Sequence, residues 1–155
     1  MRQDPTTPGA DDPSLLCPSA QPEMDGSAVF AVIGGSAQEP RAGYLDQLVP
    51  LSAEIAQLAA PLEPTEVFRF AAPCARSGCQ HFTEAGCSLA KRTVERLPPA
   101  TAKLPPCRIR ARCRWYREQG REACYRCPLV VTTDYAPSDA GRHAAAPPRQ
   151  EDIDR

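Results

Sequence analysis

The sequence lacks a long apolar run. The longest, from Ala28 to Ile33, has six residues, whereas a helix that spans a membrane needs about 18 or more. The segment from Met1 to Pro13 contains three aspartates and lacks the basic and then apolar order of a secretory signal. These absences exclude an integral membrane protein, and we expect a soluble, cytoplasmic protein that binds no membrane.

The sequence also lacks the short motifs of several large enzyme classes. Neither Gly-x-Ser-x-Gly, His-Glu-x-x-His, Gly-x-Gly-x-x-Gly nor a phosphate-binding loop occurs in it. Cys79 and His81 could form a nucleophilic pair, but within a group of cysteines they are better explained as metal ligands. We therefore expect no catalytic residue.

Aromatic residues are scarce, at 6%, while 18 of the 155 residues are proline. Such a chain builds a thin hydrophobic core, and a metal site that contributes about 10 kcal/mol or more would supply the missing stability. We expect a small irregular α+β fold of mostly short helices, with a metal-stabilised, cysteine-rich core and disordered termini. The expected organisation is a disordered, acidic, proline-rich tail over 1–27, a metal-binding domain over 28–135 and a disordered tail over 136–155.

Local sequence patterns predict five elements within the central domain. They are a strand from Ala28 to Ile33, a helix from Ala53 to Ala60 capped by Ser52, a strand from Glu66 to Phe70, a helix from Leu89 to Leu97 capped by Ser88, and a helix from Arg108 to Gln119.

Cysteine, in contrast, is abundant. Of the eight cysteines, seven lie between Cys74 and Cys127. In a reducing compartment, such a density more often indicates metal binding than disulfides. The eighth, Cys17, stands in the predicted acidic tail, and we interpret it as an incidental free thiol.

The seven clustered cysteines fall into two groups. The second group supplies four thiolates, enough for one tetrahedral ion or one cluster, and consists of Cys107, Cys113, Cys124 and Cys127. The first group supplies three thiolates for a second centre or an extension of the first, and consists of Cys74, Cys79 and Cys87. His81 is the candidate fourth ligand of that group, or else a surface side chain.

Thiolate ligands favour zinc or an iron–sulfur cluster over magnesium or calcium. Zinc modules usually contain two pairs of cysteines, each separated by two to four residues. Here only Cys124-x2-Cys127 and Cys74-x4-Cys79 have such gaps, and the other gaps within the groups are five, seven and ten residues. The ending Cys127-Pro128 is similar to the Cys-Pro of ferredoxins. The sequence therefore favours an iron–sulfur cluster, with zinc as the alternative and disulfides or free thiols as a third possibility.

Basic residues are concentrated in the second half of the chain. Between Lys91 and Arg126 there are eleven basic and three acidic residues, a local net charge of +8. The predicted helix would carry three arginines in one stripe, next to a tryptophan that would be an anchor in the core or in an interface rather than a platform on which a base stacks. These candidate partner-binding residues are Arg110, Arg114, Arg117 and Trp115. They would contact an acidic protein, such as a redox partner, or nucleic acid, or the arginines would instead offset the charge of a thiolate-bound centre.

Three stretches of the chain resemble a family of small bacterial proteins, some of them labelled nitrogen fixation protein. The similarity is carried by Pro64 to Cys74 (PTEVFRFAAPC), Cys79 to Phe82 (CQHF), and Cys113 to Tyr116 (CRWY) with Cys124 to Pro128 (CYRCP). It covers about residues 28–135 and implies an iron–sulfur accessory role over a zinc-finger role. It implies nothing about catalytic residues.

The sequence thus predicts a metal-binding protein that acts as an iron–sulfur accessory or electron-transfer protein. The alternative is a zinc-stabilised adaptor that binds protein or nucleic acid through its arginine-rich helix.

Overall fold

The computed structural model describes residues 14–35, 40–84, 86–130, 142, 144 and 145. The strands of these ranges are β1 (Leu16–Ala20), β2 (Ala28–Gly35), β3 (Pro40–Pro50), β4 (Phe68–Pro73), β5 (Phe82–Thr83) and β6 (Gly86–Cys87). The helices are α1 (Ala53–Ala59), α2 (Pro64–Val67), α3 (Ser88–Arg96), α4 (Arg114–Gln119) and α5 (Arg121–Arg126). Short 3-10 turns cover Arg76–Gly78, Arg110–Arg112 and Cys127–Leu129. In the described part of the chain, no helix has the length and apolar character needed to cross a membrane.

Strands β1 to β4 form an antiparallel sheet in the order β1-β4-β2-β3. The apolar run from Ala28 to Ile33 makes β2 an inner strand, and its residues Val29, Phe30 and Ala31 are all buried. Consecutive apolar residues are expected where both faces of a strand are covered. The predicted strand is confirmed and extends to Gly35.

Each face of the sheet contributes to a separate apolar cluster. One cluster packs the sheet against α3, α4 and α5, and includes Phe30, Ala90, Cys113 and Trp115. The other packs it against α1 and includes Val29, Ala59, Phe68 and Phe70. The predicted small α+β fold with short helices is confirmed. The first cluster includes residues of α5, which contains Cys124, and of α4, which Cys113 directly precedes.

The first two predicted helices form close to the expected positions. Helix α1 begins after Ser52, whose hydroxyl accepts a hydrogen bond from the Ile55 amide at 3.3 Å, as the capping pattern predicts. Helix α3 has the predicted extent within one residue at each end, but its cap differs. The sulfur of Cys87, not the hydroxyl of Ser88, accepts from the Ala90 amide at 3.4 Å.

Two predictions of secondary structure are wrong in part. The expected strand from Glu66 to Phe70 starts only at Phe68, because Pro64–Val67 forms a helical turn closed by a capping box between Glu63 and Glu66. The expected helix from Arg108 to Gln119 is interrupted at Cys113, whose backbone is extended (φ −79°, ψ 123°). Cys113 there forms a parallel bridge with Leu16 of β1, so tertiary pairing overrides the helical pattern.

The amino-terminal segment also differs from its prediction. We expected residues 1–27 to be disordered, yet β1 lies within this range and pairs with β4. Leu15, Leu16 and Ala20 are buried, which explains why this strand forms in a segment of polar composition. Residues 1–13 and most of the predicted tail over 136–155 lie outside the described residues.

Candidate metal centre

All eight cysteines lie in the described ranges and are free thiols. The fold gathers them into two sets of four, each lining one cavity. Site 1 consists of Cys17, Cys74, Cys79 and Cys87, and its cavity has a volume of about 510 Å³. Site 2 consists of Cys107, Cys113, Cys124 and Cys127, and its cavity has a volume of about 20 Å³. Trp115 lines both cavities, so the two sites are neighbours.

Site 2 is the set of four that the sequence predicts. Cys107 follows the Pro105-Pro106 pair, and Cys113 directly precedes α4. Cys124 lies on α5, and Cys127 opens the 3-10 turn that follows it. Because α4 and α5 are separated only by Gly120 (φ +68°), the chain turns sharply there and returns Cys124 and Cys127 towards Cys113.

The thiols of site 2 are partly shielded from water, and Cys113 is buried. Burial raises the pKa of Cys107, Cys113 and Cys124, and the nearness of other site 2 cysteines raises it further. A metal that binds here must therefore displace the thiol protons, as metal binding to cysteine does in general.

A buried arginine contacts site 2. Arg69 of β4 has no exposed surface, and its guanidinium donates to the Sγ of Cys127 at 3.0 Å and to the Cys127 carbonyl oxygen at 2.5 Å. It also donates to the Pro18 carbonyl oxygen at 2.7 Å and lies 5.1 Å from the centre of the Phe30 ring. Burial lowers the pKa of Arg69, but the nearness of Cys127 and Tyr44 outweighs it, so the net shift is upward and the cation is retained.

Among the described residues, no carboxylate pairs with Arg69. A buried cation normally requires an anion next to it. Of the atoms to which Arg69 donates hydrogen bonds, only the sulfur of Cys127 can carry a negative charge, and it does so as a thiolate. The arrangement is therefore the one expected beside a centre whose ligands are thiolates.

A second arginine, Arg110, lines the cavity of site 2. Its guanidinium donates to the Pro105 carbonyl oxygen, and its hydrogen bond and charge act to lower the pKa of Cys124. Burial dominates there, so the net shift of the Cys124 pKa is upward. The Nε atoms of both Arg69 and Arg110 are buried without a hydrogen-bond partner among the described residues.

Site 1 combines cysteines from distant parts of the chain. Cys17 lies on β1, Cys74 follows β4, Cys79 ends a 3-10 turn and Cys87 caps α3. Burial raises the pKa of Cys17 to about 12, and the site 1 cysteines Cys87, Cys74 and Cys79 add to the rise. Burial also raises the pKa of Cys87, to about 11. Sequence reasoning missed Cys17, although its Cys17-Pro18 pair repeats the Cys127-Pro128 pair of site 2.

A buried arginine, Arg114, also lines the cavity of site 1, but unlike Arg69 it is paired with a carboxylate. Only 1% of its side chain is exposed, and it lies 5.4 Å from the centre of the Phe82 ring. Burial acts to lower its pKa, but a hydrogen bond with Glu118 and the nearness of Cys74 produce a net rise. Its ion pair with Glu118 measures 3.0 Å, and Glu118 also accepts from the Cys87 amide at 2.7 Å.

Gly86 allows Glu118 to reach Cys87, which leads to a testable prediction. Its φ is +113°, and a Cβ added there would lie 2.5 Å from a Glu118 oxygen. We expect Gly86→Ala to destabilise the protein by about 1–3 kcal/mol from backbone strain alone and to displace Glu118. Urea unfolding followed by circular dichroism measures this. Gly78→Ala is the matched control, since its nearest contact would be an ordinary 3.8 Å to Ala75; equal stability of the two variants would contradict the prediction.

His81 lines the site 1 cavity but is engaged elsewhere. Its Nδ1 lies 3.1 Å from an Arg92 nitrogen, and its Nε2 lies 3.5 Å from the Gln80 amide nitrogen. Burial, followed by the charge of Arg92, lowers the pKa of His81. Its backbone amide, in contrast, donates to the Sγ of Cys79 at 3.4 Å.

The predicted stripe of partner-binding side chains does not form. Arg114 and Trp115 are 1% and 2% exposed, so neither side chain lies on the surface. Trp115 is the core anchor that the sequence allows, and Arg114 belongs to no exposed stripe. Arg117 donates to the Ala111 carbonyl oxygen at 2.8 Å, and Arg110 lies at site 2. The helical pattern misled because the break at Cys113 changes the directions of the side chains before and after it.

Within the described ranges, no group of three or more His, Cys, Asp or Glu side chains is drawn together tightly enough to hold a metal ion. The cysteines of each site nevertheless line one cavity beside a buried arginine, and neighbouring cysteines raise the pKa of Cys17 in site 1 and of Cys113 in site 2.

No family model matches the chain, and neither a curated protein nor a solved structure matches it. The function must therefore be argued from the sites themselves.

Proposed function

We propose that this protein binds metal through its cysteine thiolates and acts as an iron–sulfur accessory or electron-transfer protein. The observation that carries the proposal is the fully buried Arg69, whose guanidinium lies 3.0 Å from the sulfur of Cys127. In the described part of the chain this cation meets no carboxylate. Neutral thiols would leave its charge uncompensated in the interior, whereas metal-bound thiolates compensate it.

The expected charge of a site that holds a metal centre supports the proposal of thiolate ligation. A centre held by four thiolates is net negative, and hydrogen bonds to its sulfurs and nearby positive charge stabilise it. Site 2 has Arg69 and Arg110 in these positions, and site 1 has Arg114. Arg110 and Arg114, which the sequence singles out, and Arg69, which it does not, thus fit the role of offsetting the charge of the centre.

A bound cluster would supply one-electron chemistry, while the chain supplies its shielding. Trp115, Phe30 and Ile109 are buried beside the site 2 cysteines. The partner in this proposal is an acidic redox protein, because Arg108, Arg112 and Arg121 are exposed and lie within a few residues of site 2 cysteines. Nucleic acid is less favoured, since Trp115 is not accessible for stacking.

One observation favours a zinc ion at site 2 as a second candidate. The cavity there is about 20 Å³, which is room for a particle the size of one water molecule. A single ion with four thiolates at about 2.3 Å suits such a space better than a cluster does. In that case site 2 would be structural and site 1 would carry the redox chemistry.

The test of the proposal is the variant Cys124→Ser, purified and reconstituted without oxygen. We expect it to lose the metal of site 2 and, because the metal contributes to folding, to give less soluble protein. The measurement is iron, zinc and acid-labile sulfide per chain, with the yield of soluble protein.

Glu122→Gln is the matched control for Cys124→Ser. It lies on the same helix, and its ion pair with Arg126 is at the surface, with 57% of the Glu122 side chain exposed, so we expect unchanged metal content. If Cys124→Ser retains the metal content of the wild type, Cys124 is not a ligand and the proposal for site 2 is wrong.

A further inference from the structure

We propose that Cys17 is the fourth ligand of a second metal centre, completed by Cys74, Cys79 and Cys87, and that this centre takes an iron–sulfur cluster. The inference rests on the proposed function, which it extends from site 2 to site 1. It replaces His81 with Cys17 in the ligand set that the sequence indicates.

The sheet places Cys17 next to Cys74. In the pairing of β1 with β4, Cys17 is opposite Ala72 and Leu16 is opposite Pro73. The Cys74 amide then donates to the Leu15 carbonyl oxygen at 3.0 Å. Two residues that are far apart in sequence are thereby held on neighbouring strands, at the edge of one cavity.

All four sulfurs of site 1 accept a hydrogen bond from the backbone. The donors are the amides of Ser19 to Cys17, Arg76 to Cys74, His81 to Cys79 and Ala90 to Cys87, each at 3.4 Å. Amide donors turned towards every sulfur stabilise thiolates, and such hydrogen bonds tune the clusters that cysteines hold. Cys17 has the same local arrangement as the three cysteines that the sequence assigns to the site, which an incidental free thiol would not require.

The size of the site 1 cavity favours a cluster over a single ion. Its volume of about 510 Å³ far exceeds the room that one ion needs. A cluster also holds its four thiolates further apart than one ion does, because iron and sulfide lie between them. The remaining walls include Phe82, Leu89, Trp115 and Val130, which provide the apolar surroundings that limit access of water to a cluster. Arg114 supplies positive charge next to Cys74.

His81 is not available as a ligand in this geometry. A guanidinium only donates hydrogen bonds, so the contact of Arg92 with Nδ1 at 3.1 Å makes that nitrogen an acceptor. The lone pair of Nδ1 is thereby used, and Nε2 lies 3.5 Å from the Gln80 amide nitrogen, so both ring nitrogens contact other side chains. The contribution of His81 is its backbone amide, which donates to Cys79.

The two centres would be linked by Arg69. Its guanidinium donates to the carbonyl oxygen of Pro18, the residue after Cys17, and to the sulfur of Cys127. Leu16, the residue before Cys17, bridges to Cys113. A protein with two adjacent centres of this kind is suited to pass electrons between them.

The experiment compares Cys17→Ser with His81→Ala and Cys124→Ser, each as the full chain reconstituted with iron and sulfide without oxygen. We expect Cys17→Ser to lose the cluster of site 1, which is about half of the iron and sulfide of the wild type when site 2 also holds a cluster and all of it when site 2 holds zinc. His81→Ala is expected to retain both. Full iron and sulfide in Cys17→Ser, or loss of one centre in His81→Ala, would overturn the inference.

A second measurement needs no substitution and therefore no assumption that the variant folds. The loaded wild-type protein is alkylated with iodoacetamide, before and after removal of metal by a chelator, and the modified cysteines are identified by peptide mass spectrometry. We expect Cys17 to be protected with Cys74, Cys79 and Cys87, and to react after chelation. Equal modification of Cys17 in both samples would contradict its role as a ligand.

The outcomes separate the two proposals. Wild-type protein that takes up no metal would overturn the proposed function itself. Metal that depends on Cys124 but not on Cys17 would leave the proposed function in place and overturn only the second centre.

Discussion

Arg69→Met is expected to destabilise the metal-loaded protein by about 3–5 kcal/mol, the usual effect of removing one partner of a buried charge pair. In the apoprotein no bound metal fixes a negative charge on the site 2 sulfurs, so the loss is limited to hydrogen bonds with the carbonyl oxygens of Pro18 and Cys127, or about 1–3 kcal/mol. The expected result is a larger loss in the loaded form. Urea unfolding of both forms under nitrogen, followed by circular dichroism, measures the difference.

Two further variants test whether the effect of Arg69→Met comes from the loss of its buried charge. Arg69→Lys keeps the charge but not the planar arrangement of donors, so we expect it to fall between the wild type and Arg69→Met in the loaded protein. Arg121→Met removes an exposed arginine of α5, where a substitution usually changes stability by less than about 0.5 kcal/mol. If Arg69→Met destabilises the loaded and apo forms equally, Arg69 does not balance a charged centre, which would contradict thiolate ligands at site 2.

Trp115→Ala is expected to destabilise the protein by about 3–5 kcal/mol, as removal of a buried aromatic side chain usually does. Trp115 is 2% exposed and lines the cavities of both sites. Its loss would therefore also lower the metal content of both sites. Thermal unfolding and metal content of the same preparations measure the two effects.

Conservative and exposed substitutions serve as controls for Trp115. Trp115→Phe retains most of the buried ring and is expected to keep more of the stability and metal. Leu58→Ala removes a large apolar side chain that is 72% exposed, so its effect should be small. A Trp115→Ala protein with normal stability and metal content would restore the hypothesis that Trp115 is a surface anchor for a partner.

The parts of the fold that local sequence determines could be predicted from it. The run from Ala28 to Ile33 is apolar throughout, which predicts a buried strand without knowledge of the strands that pair with it. Ser52 can cap a helix with atoms of its own segment. The grouping of Cys107, Cys113, Cys124 and Cys127 at one cavity is likewise favoured by short separations along the chain.

The parts that depend on distant partners could not be predicted. Ile109, Cys113 and Tyr116 have helical spacing, but Cys113 is extended because it bridges to Leu16, almost a hundred residues earlier in the chain by sequence number. The position of Cys17 depends on the pairing of β1 with β4, and the polar composition around it favoured disorder. The buried alternation of Leu16, Pro18 and Ala20 was the local signal, and proline and serine in the strand concealed it.

The central claim is that the cysteines hold iron–sulfur clusters. The most direct measurement is the content of iron, zinc and acid-labile sulfide in the full chain purified without oxygen, together with its visible absorbance. We predict iron and sulfide in equal amounts, with a broad visible absorbance that decreases on reduction. Zinc without iron would contradict the electron-transfer function, and neither metal, with all eight thiols free to react, would contradict the account as a whole.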